Sequence, residues 1–137
     1  SNKMSKSSDA VGGTIYVLAD PAAITKKVKR AVTDTGPEVR YDVVEKPGES
    51  NLISLLAACT GRTPEEAAAG YTQYGPLKAD TAEAVVELLR PIQARYHELE
   101  ADPGAMVEIL AKGAGKAQAV SSVVLDRAKR NVGLLPR

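Results

Sequence analysis

"LKADTAEAVVELLRPIQARYHELE", residues 77–100, carries its apolar side chains at a helical repeat. Leu77, Thr81, Val85, Leu88, Ile92, Tyr96 and Leu99 recur in steps of three or four, the spacing that keeps them on one face of an α-helix. Pro91 lies inside this run. Without an N–H it cannot bond the Glu87 carbonyl, so a kink is expected there unless two helices meet. Downstream, Asp102-Pro103 is an N-cap followed by Pro at the first helical position. The helix it opens carries Met106, Ile109, Leu110, Ala117, Val120, Val124, Ala128 and Val132 and ends near Gly133. Gly113 and Gly115 mark either a break in that helix or a site of close helix contact.

Upstream the pattern is shorter and interrupted. Thr63-Pro64-Glu65-Glu66 is a capping box that predicts a short helix to about Ala69. An apolar helix is expected over Asn51–Thr60, closed by Gly61. Glu38–Gly48 has no helical period and reads as an irregular loop. Asp20-Pro21 starts a further helix, with Ile24, Val28, Ala31 and Val32 on one face and Lys26, Lys27, Lys29 and Arg30 around the rest. Thr35-Gly36-Pro37 breaks it. Before it, Thr14–Leu18 is a β-branched and aromatic run that predicts one strand. That strand would be an orphan, with no sheet in this chain to join. The predicted fold class is therefore mainly α, a helical bundle preceded by a loop and one short strand. The corresponding domains are residues 1–19 and residues 20–137.

Composition agrees with this reading. The 137 residues are enough for one domain with a core. With no Trp or Phe, that core must be aliphatic, with Tyr as the aromatic component. One cysteine, Cys59, excludes an internal disulfide, and with the single His97 it makes no zinc set without carboxylates. No metal site is expected. A structural or surface role is expected for His97 and a core role for Cys59. The chain lacks an apolar run of the ~20 residues a membrane span needs, and its polar start is not a signal peptide. A reducing, cytoplasmic setting without membrane association is expected. The net charge of +1 is unevenly spread. Residues 1–30 hold six Lys/Arg and two acids, residues 31–100 six and twelve, and residues 101–137 six and three. A polyanion would be drawn to the two ends.

Near the start, Lys3-Met4-Ser5-Lys6-Ser7 places two lysines three residues apart with hydroxyls between and after them. Ammonium groups, hydroxyls and backbone N–H groups of this kind can surround a polyphosphate. The glycines of a P-loop are absent, so that mechanism does not apply. On spacing alone, a polar tail remains the competing reading.

"KMSKS" is the unaltered signature of class I aminoacyl-tRNA synthetases. The stretches "KKVKRAVTDT", "VRYD", "EKPGESNLISLLAACTGRTPEE", "LKADTAEAVVELLRPIQARYHELE" and "NVGL" follow it. In this order, from Lys3 to about Leu134, the sequence resembles the C-terminal portion of bacterial tryptophanyl-tRNA synthetases. The resemblance implies a loop and strand from the end of a Rossmann-type catalytic domain, then a helical anticodon-binding domain. It also implies a reaction: tryptophan is activated with ATP and Mg²⁺, then transferred to tRNA(Trp). Lys3 and Lys6 would be the catalytic cations on the triphosphate. Met4 would place its backbone near adenine, and Ser5 and Ser7 would shape the loop or donate hydrogen bonds. L-tryptophan would bind through an N-terminal region not in this sequence, and the whole enzyme would be a homodimer. The chain alone is expected to be inactive.

Bases read by such a domain are unstacked, which favours Arg, aromatic and hydrogen-bonding side chains. On charge, Arg90, Arg95, Lys112, Lys116, Arg127, Lys129 and Arg130 are the tRNA-binding candidates, each as readily an ordinary surface residue. Asp42, with Arg40 and Tyr41 in "VRYD", is expected to order a loop rather than touch substrate. The alternative function is a stand-alone helical tRNA-binding or protein-interaction module without catalysis. An intact KMSKS favours the enzyme reading.

Overall fold

A computed structural model describes residues 11–34, 36 and 38–134. Among them the regular structure is helical: a 3₁₀ turn at Val11–Gly13, then α1 (Pro21–Lys29), α2 (Pro47–Thr60), α3 (Pro64–Ala68), α4 (Tyr74–Ala101) and α5 (Pro103–Asn131). Contacts divide the chain into two units between Ala94 and Arg95.

The first unit has a closed aliphatic core. It comprises Ile24 and Val28 of α1, Leu52, Ile53, Leu56 and Ala57 of α2, Ala67 and Ala68 of α3, and Leu77, Ala82 and Val85 of α4. In α1 (Ile24, Val28), α2 (Leu52/Ile53, Leu56/Ala57) and α4 (Leu77, Thr81, Val85) the buried positions return at intervals of four residues, so one face of each of these helices goes inward. The helix ends follow local chemistry. Asp20 accepts from the Ala22 amide at 2.8 Å, and the Thr63–Glu66 capping box closes in both directions. Gly61 ends α2 at φ 70°, a left-handed conformation that glycine adopts without steric cost.

Three sequence expectations change. The predicted strand at Thr14–Leu18 does not form: residues 14–16 are irregular, residues 17–18 are in a turn, and Ala19 N–H bonds the Tyr16 carbonyl at 3.0 Å. A strand needs a neighbour to satisfy its backbone groups, and no other strand exists among the described residues. Instead Gln93 of α4 donates to the Val17 and Ala19 carbonyls, at 2.7 and 3.0 Å. Second, α1 stops at Lys29, short of the expected break, and Val32 is exposed. The following backbone has other partners. Lys78 Nζ bonds the Ala31 carbonyl at 2.8 Å, and the Val32 carbonyl packs so closely on Gly48 that a Cβ there would overlap it. Third, α2 begins at Pro47 rather than Asn51, since Pro at the first helical position needs no N–H partner.

The predicted α4 stripe is buried only at its start. Leu77, Thr81 and Val85 are inside, whereas Leu88 and Ile92 are each 50% exposed. Pro91 sits within one continuous helix, so two helices do not meet there.

The second unit comprises the end of α4 and α5. Asp102 caps α5, accepting from the Ala105 amide at 3.0 Å. At the other end Gly133 takes φ 75°, and the Gly133 and Leu134 amides bond the Arg130 and Lys129 carbonyls. Gly113 and Gly115 neither break α5 nor sit in close contact: a Cβ at either would meet open space. No α5 side chain is buried.

Candidate functional site

The phosphate-loop candidates Lys3, Met4, Ser5, Lys6 and Ser7 lie outside the described residues. The described structure begins at Val11, and α1 supplies the nearest basic cluster in sequence. Lys26 and Lys29 of α1 and its C-cap Arg30 lie close in sequence to Lys27, whose ammonium donates to the Thr14 carbonyl and lies 5.5 Å from the Tyr16 ring. Lys26, Arg30 and Asn51 border an open groove of about 900 Å³ whose walls include Ile15, Val28 and Leu52. Positive charge above an apolar floor suits an anionic ligand with a flat or apolar part.

The loop between α1 and α2 is held by a charged knot. Lys46 Nζ reaches Asp34 Oδ2 at 3.0 Å, Glu49 Oε2 at 3.3 Å, the Glu38 carbonyl at 2.7 Å and the Tyr74 hydroxyl at 3.1 Å. Tyr74 in turn donates to Asp34. The Glu49 carboxylate is fully buried and also accepts the Arg40 amide, so its charge is paired on two sides. These bonds reach the titration of each group. Hydrogen bonding from Tyr74 and Lys46 lowers Asp34, and bonding to Tyr74 and Asp34 raises Lys46. Burial and the Asp34 bond push Tyr74 up to about 12. Sequence reading missed the knot because its members, at 34, 46, 49 and 74, share no period.

The remaining candidates are placed as follows. Asp42 orders its loop: its carboxylate accepts the Val44 and Glu45 amides at 3.0 and 2.9 Å and pairs with Arg40 at 3.1 Å. Those amide bonds hold its pKa below the usual carboxylate value. Cys59 is partly buried in α2, and burial raises its thiol. His97 is exposed beside Glu100, at 3.3 Å. Among the described residues, no group of three His, Cys, Asp or Glu converges as a metal site.

Of the tRNA-binding candidates, Arg90 and Arg95 lie on α4 and are ion-paired within their own helix, to Glu87 and Glu98. Lys112, Lys116, Arg127, Lys129 and Arg130 lie on α5. At about 100° per residue, Lys112, Lys116, Arg127 and Arg130 fall within about 60° of one another, while Lys129 points elsewhere. This basic stripe has no carboxylate ion-paired to it among the described residues. It could meet a phosphate backbone without first breaking a salt bridge.

Comparison with known proteins agrees with the sequence reading. Residues 1–90 match the family model described as tRNA synthetases class I (W and Y). The chain is 52% identical to tryptophan–tRNA ligase 1 of Streptomyces coelicolor over 135 residues, 98% of this chain and 40% of that protein. It is 48% identical to the tryptophan–tRNA ligase of Enterococcus faecalis, over 96% of this chain and 40% of that protein. The crystal structure of tryptophanyl-tRNA synthetase from Mycoplasma pneumoniae superposes with a TM-score of 0.81 at 26% identity, covering 96% of this chain and 41% of that one. The chain thus spans about two-fifths of the length of the relatives it matches. With two-thirds of its residues under the family model and a helical fold shared with a solved synthetase, this chain belongs to the class I tRNA synthetases of the tryptophan and tyrosine (W and Y) family.

Proposed function

We propose that this chain is the KMSKS-bearing, helical part of a tryptophan–tRNA ligase, an enzyme that activates L-tryptophan with ATP and charges tRNA(Trp). The observation that carries the reading is 52% identity to such a ligase along 98% of the chain, with KMSKS intact at residues 3–7. In this reading residues 1–19 close the catalytic domain and residues 20–137 form the tRNA-binding domain. Lys3 and Lys6 offset charge on the triphosphate as pyrophosphate leaves, while Met4, Ser5 and Ser7 seat the nucleotide. Positioning and charge stabilisation supply most of the acceleration in phosphoryl chemistry of this type. Mg²⁺ arrives with the ATP phosphates, whose oxygens suit a hard cation that keeps several waters. Arg90, Arg95 and the α5 cations contact tRNA. The working enzyme is a cytoplasmic homodimer, and this chain by itself has no activity because tryptophan binding lies in the other three-fifths.

The test is a chimera in which this chain replaces the corresponding C-terminal two-fifths of the Streptomyces coelicolor ligase. Tryptophan-dependent ATP–pyrophosphate exchange is expected, and Lys6→Ala is expected to lower its rate about 10²–10³-fold. A folded chimera that binds tryptophan but exchanges no pyrophosphate, or one indifferent to Lys6→Ala, refutes the reading.

A further inference from the structure

Thr14–Ala19 is the stretch through which the chain passes from the KMSKS residues and the Val11–Gly13 turn into α1. It has neither ladder nor helix of its own, and its middle is poorly covered: Tyr16 is 60% exposed, Val17 48% and Leu18 49%. Ile15 and Ala19, on either side, pack against the core. Between them the backbone is held by side chains from two helices. Lys27 of α1 donates to the Thr14 carbonyl. Gln93 of α4 holds the other end, donating to the Val17 carbonyl at 2.7 Å and to the Ala19 carbonyl at 3.0 Å. A carboxamide has two N–H donors, and both are engaged on this one stretch of main chain. The core does not call for Gln93: the fully buried positions of α4 end at Val85, and the neighbouring Ile92 is 50% exposed.

We propose that Gln93 is a positioning residue for tryptophan activation: by clamping the Val17 and Ala19 carbonyls it fixes the point on the main chain from which Lys6 reaches the ATP triphosphate. The inference rests on the ligase reading above and adds to it a residue of α4 that touches no substrate. A cation stabilises developing charge only where its backbone is held, since a misplacement of about 1 Å can lower the rate about a hundredfold. Bonds to carbonyls suit that task, because they restrain the main chain and make no demand on side chains 16–18. The same chemistry says what can stand at position 93. Leucine is of similar size but donates nothing. Glutamate keeps the shape but turns acceptor oxygens toward two carbonyl oxygens, whereas lysine still donates.

The experiment uses the chimera with the Streptomyces coelicolor ligase and measures tryptophan-dependent ATP–pyrophosphate exchange together with hydrogen exchange. Gln93→Leu and Gln93→Glu are expected to lower kcat about 10–100-fold with the KM for tryptophan unchanged. Both should also speed exchange of the Ala19 amide, which bonds the Tyr16 carbonyl. Gln93→Lys should keep most of the rate. In a Lys6→Ala background the effect of Gln93→Leu should shrink to about twofold or less, because a residue that acts through Lys6 then has nothing to position. A loss that Gln93→Lys shares, a loss that multiplies fully with that of Lys6→Ala, or a Gln93→Leu chimera that no longer folds would show a merely structural role and overturn the proposal. So would full activity of Gln93→Leu in a chimera that responds to Lys6→Ala. A chimera that lacks exchange, or ignores Lys6→Ala, before any change at position 93 defeats the ligase reading itself, and this inference falls with it.

Discussion

In residues 11–94, α1, α2, α3 and the first half of α4 turn their apolar faces onto one another, leaving Ile53 and Leu77 with no solvent exposure. In residues 95–134 the 29-residue α5 has an apolar stripe of the same period and buries none of it. Both regions contain amphipathic helices with side-chain caps, Asp20 and Thr63 in the first and Asp102 in the second. The difference lies in what surrounds them. Capping and propensity let a helix exist, but they contribute tenths to about one kcal/mol each, while burial of one large aliphatic side chain contributes about 1.5–3 kcal/mol. The first region is therefore held by its interior. The second is helical by local chemistry and awaits cover.

The largest expected contrast is between two leucines. Leu77→Ala should destabilise the fold by about 2–5 kcal/mol, since it opens a cavity in a closed core. Leu110→Ala on α5 should change the unfolding of the monomer by about 0.5 kcal/mol or less. Urea melts at dilute protein concentration measure both, and equal losses would mean that α5 is as well packed as the core.

A smaller effect is expected at the charged knot. Tyr74→Phe removes the hydroxyl bond to Asp34 and should cost about 1.5–2 kcal/mol. The pH dependence has a defined sign. Tyr74 is raised from its ordinary 10.0 to about 12, so its contribution is complete below pH 10 and is lost as pH climbs toward 12. Lys46, also raised, loses its contribution above its ordinary 10.5. Asp34 is lowered, so its contribution is present above 3.8 and disappears as pH falls through its depressed value. Melts from pH 3 to 12 should show a plateau between these limits, and Tyr74→Phe should flatten the alkaline fall.

The smallest effect sharpens the contrast from the side of local chemistry. Thr63→Ala breaks the α3 capping box and should cost about 1 kcal/mol, visible in the same melts. A larger loss would mean that α3 is held by its cap more than by the burial of Ala67 and Ala68.

The family was legible in the sequence because its signals are contiguous: KMSKS, then a series of short stretches in fixed order. The placement of the candidate basic residues on α4 and α5 was legible too, because both helices are strongly periodic. The knot of Asp34, Lys46, Glu49 and Tyr74 was not, because its residues come together only when the loop folds back onto α2 and α4.

The existence of the helices, the Thr63 and Asp102 caps and the stops at Gly61 and Gly133 were determined by the sequence itself, since each rests on local periodicity or on bonds within a few residues. Tertiary structure alone decided three things. It left Thr14–Leu18 without a strand, because a ladder needs a partner. It ended α1 at Lys29, because Lys78 and Gly48 engage the backbone that follows. It covered the stripe of α4 at Leu77 but not at Ile92, and that of α5 nowhere, because periodicity marks the face that seeks burial and only a neighbour can bury it.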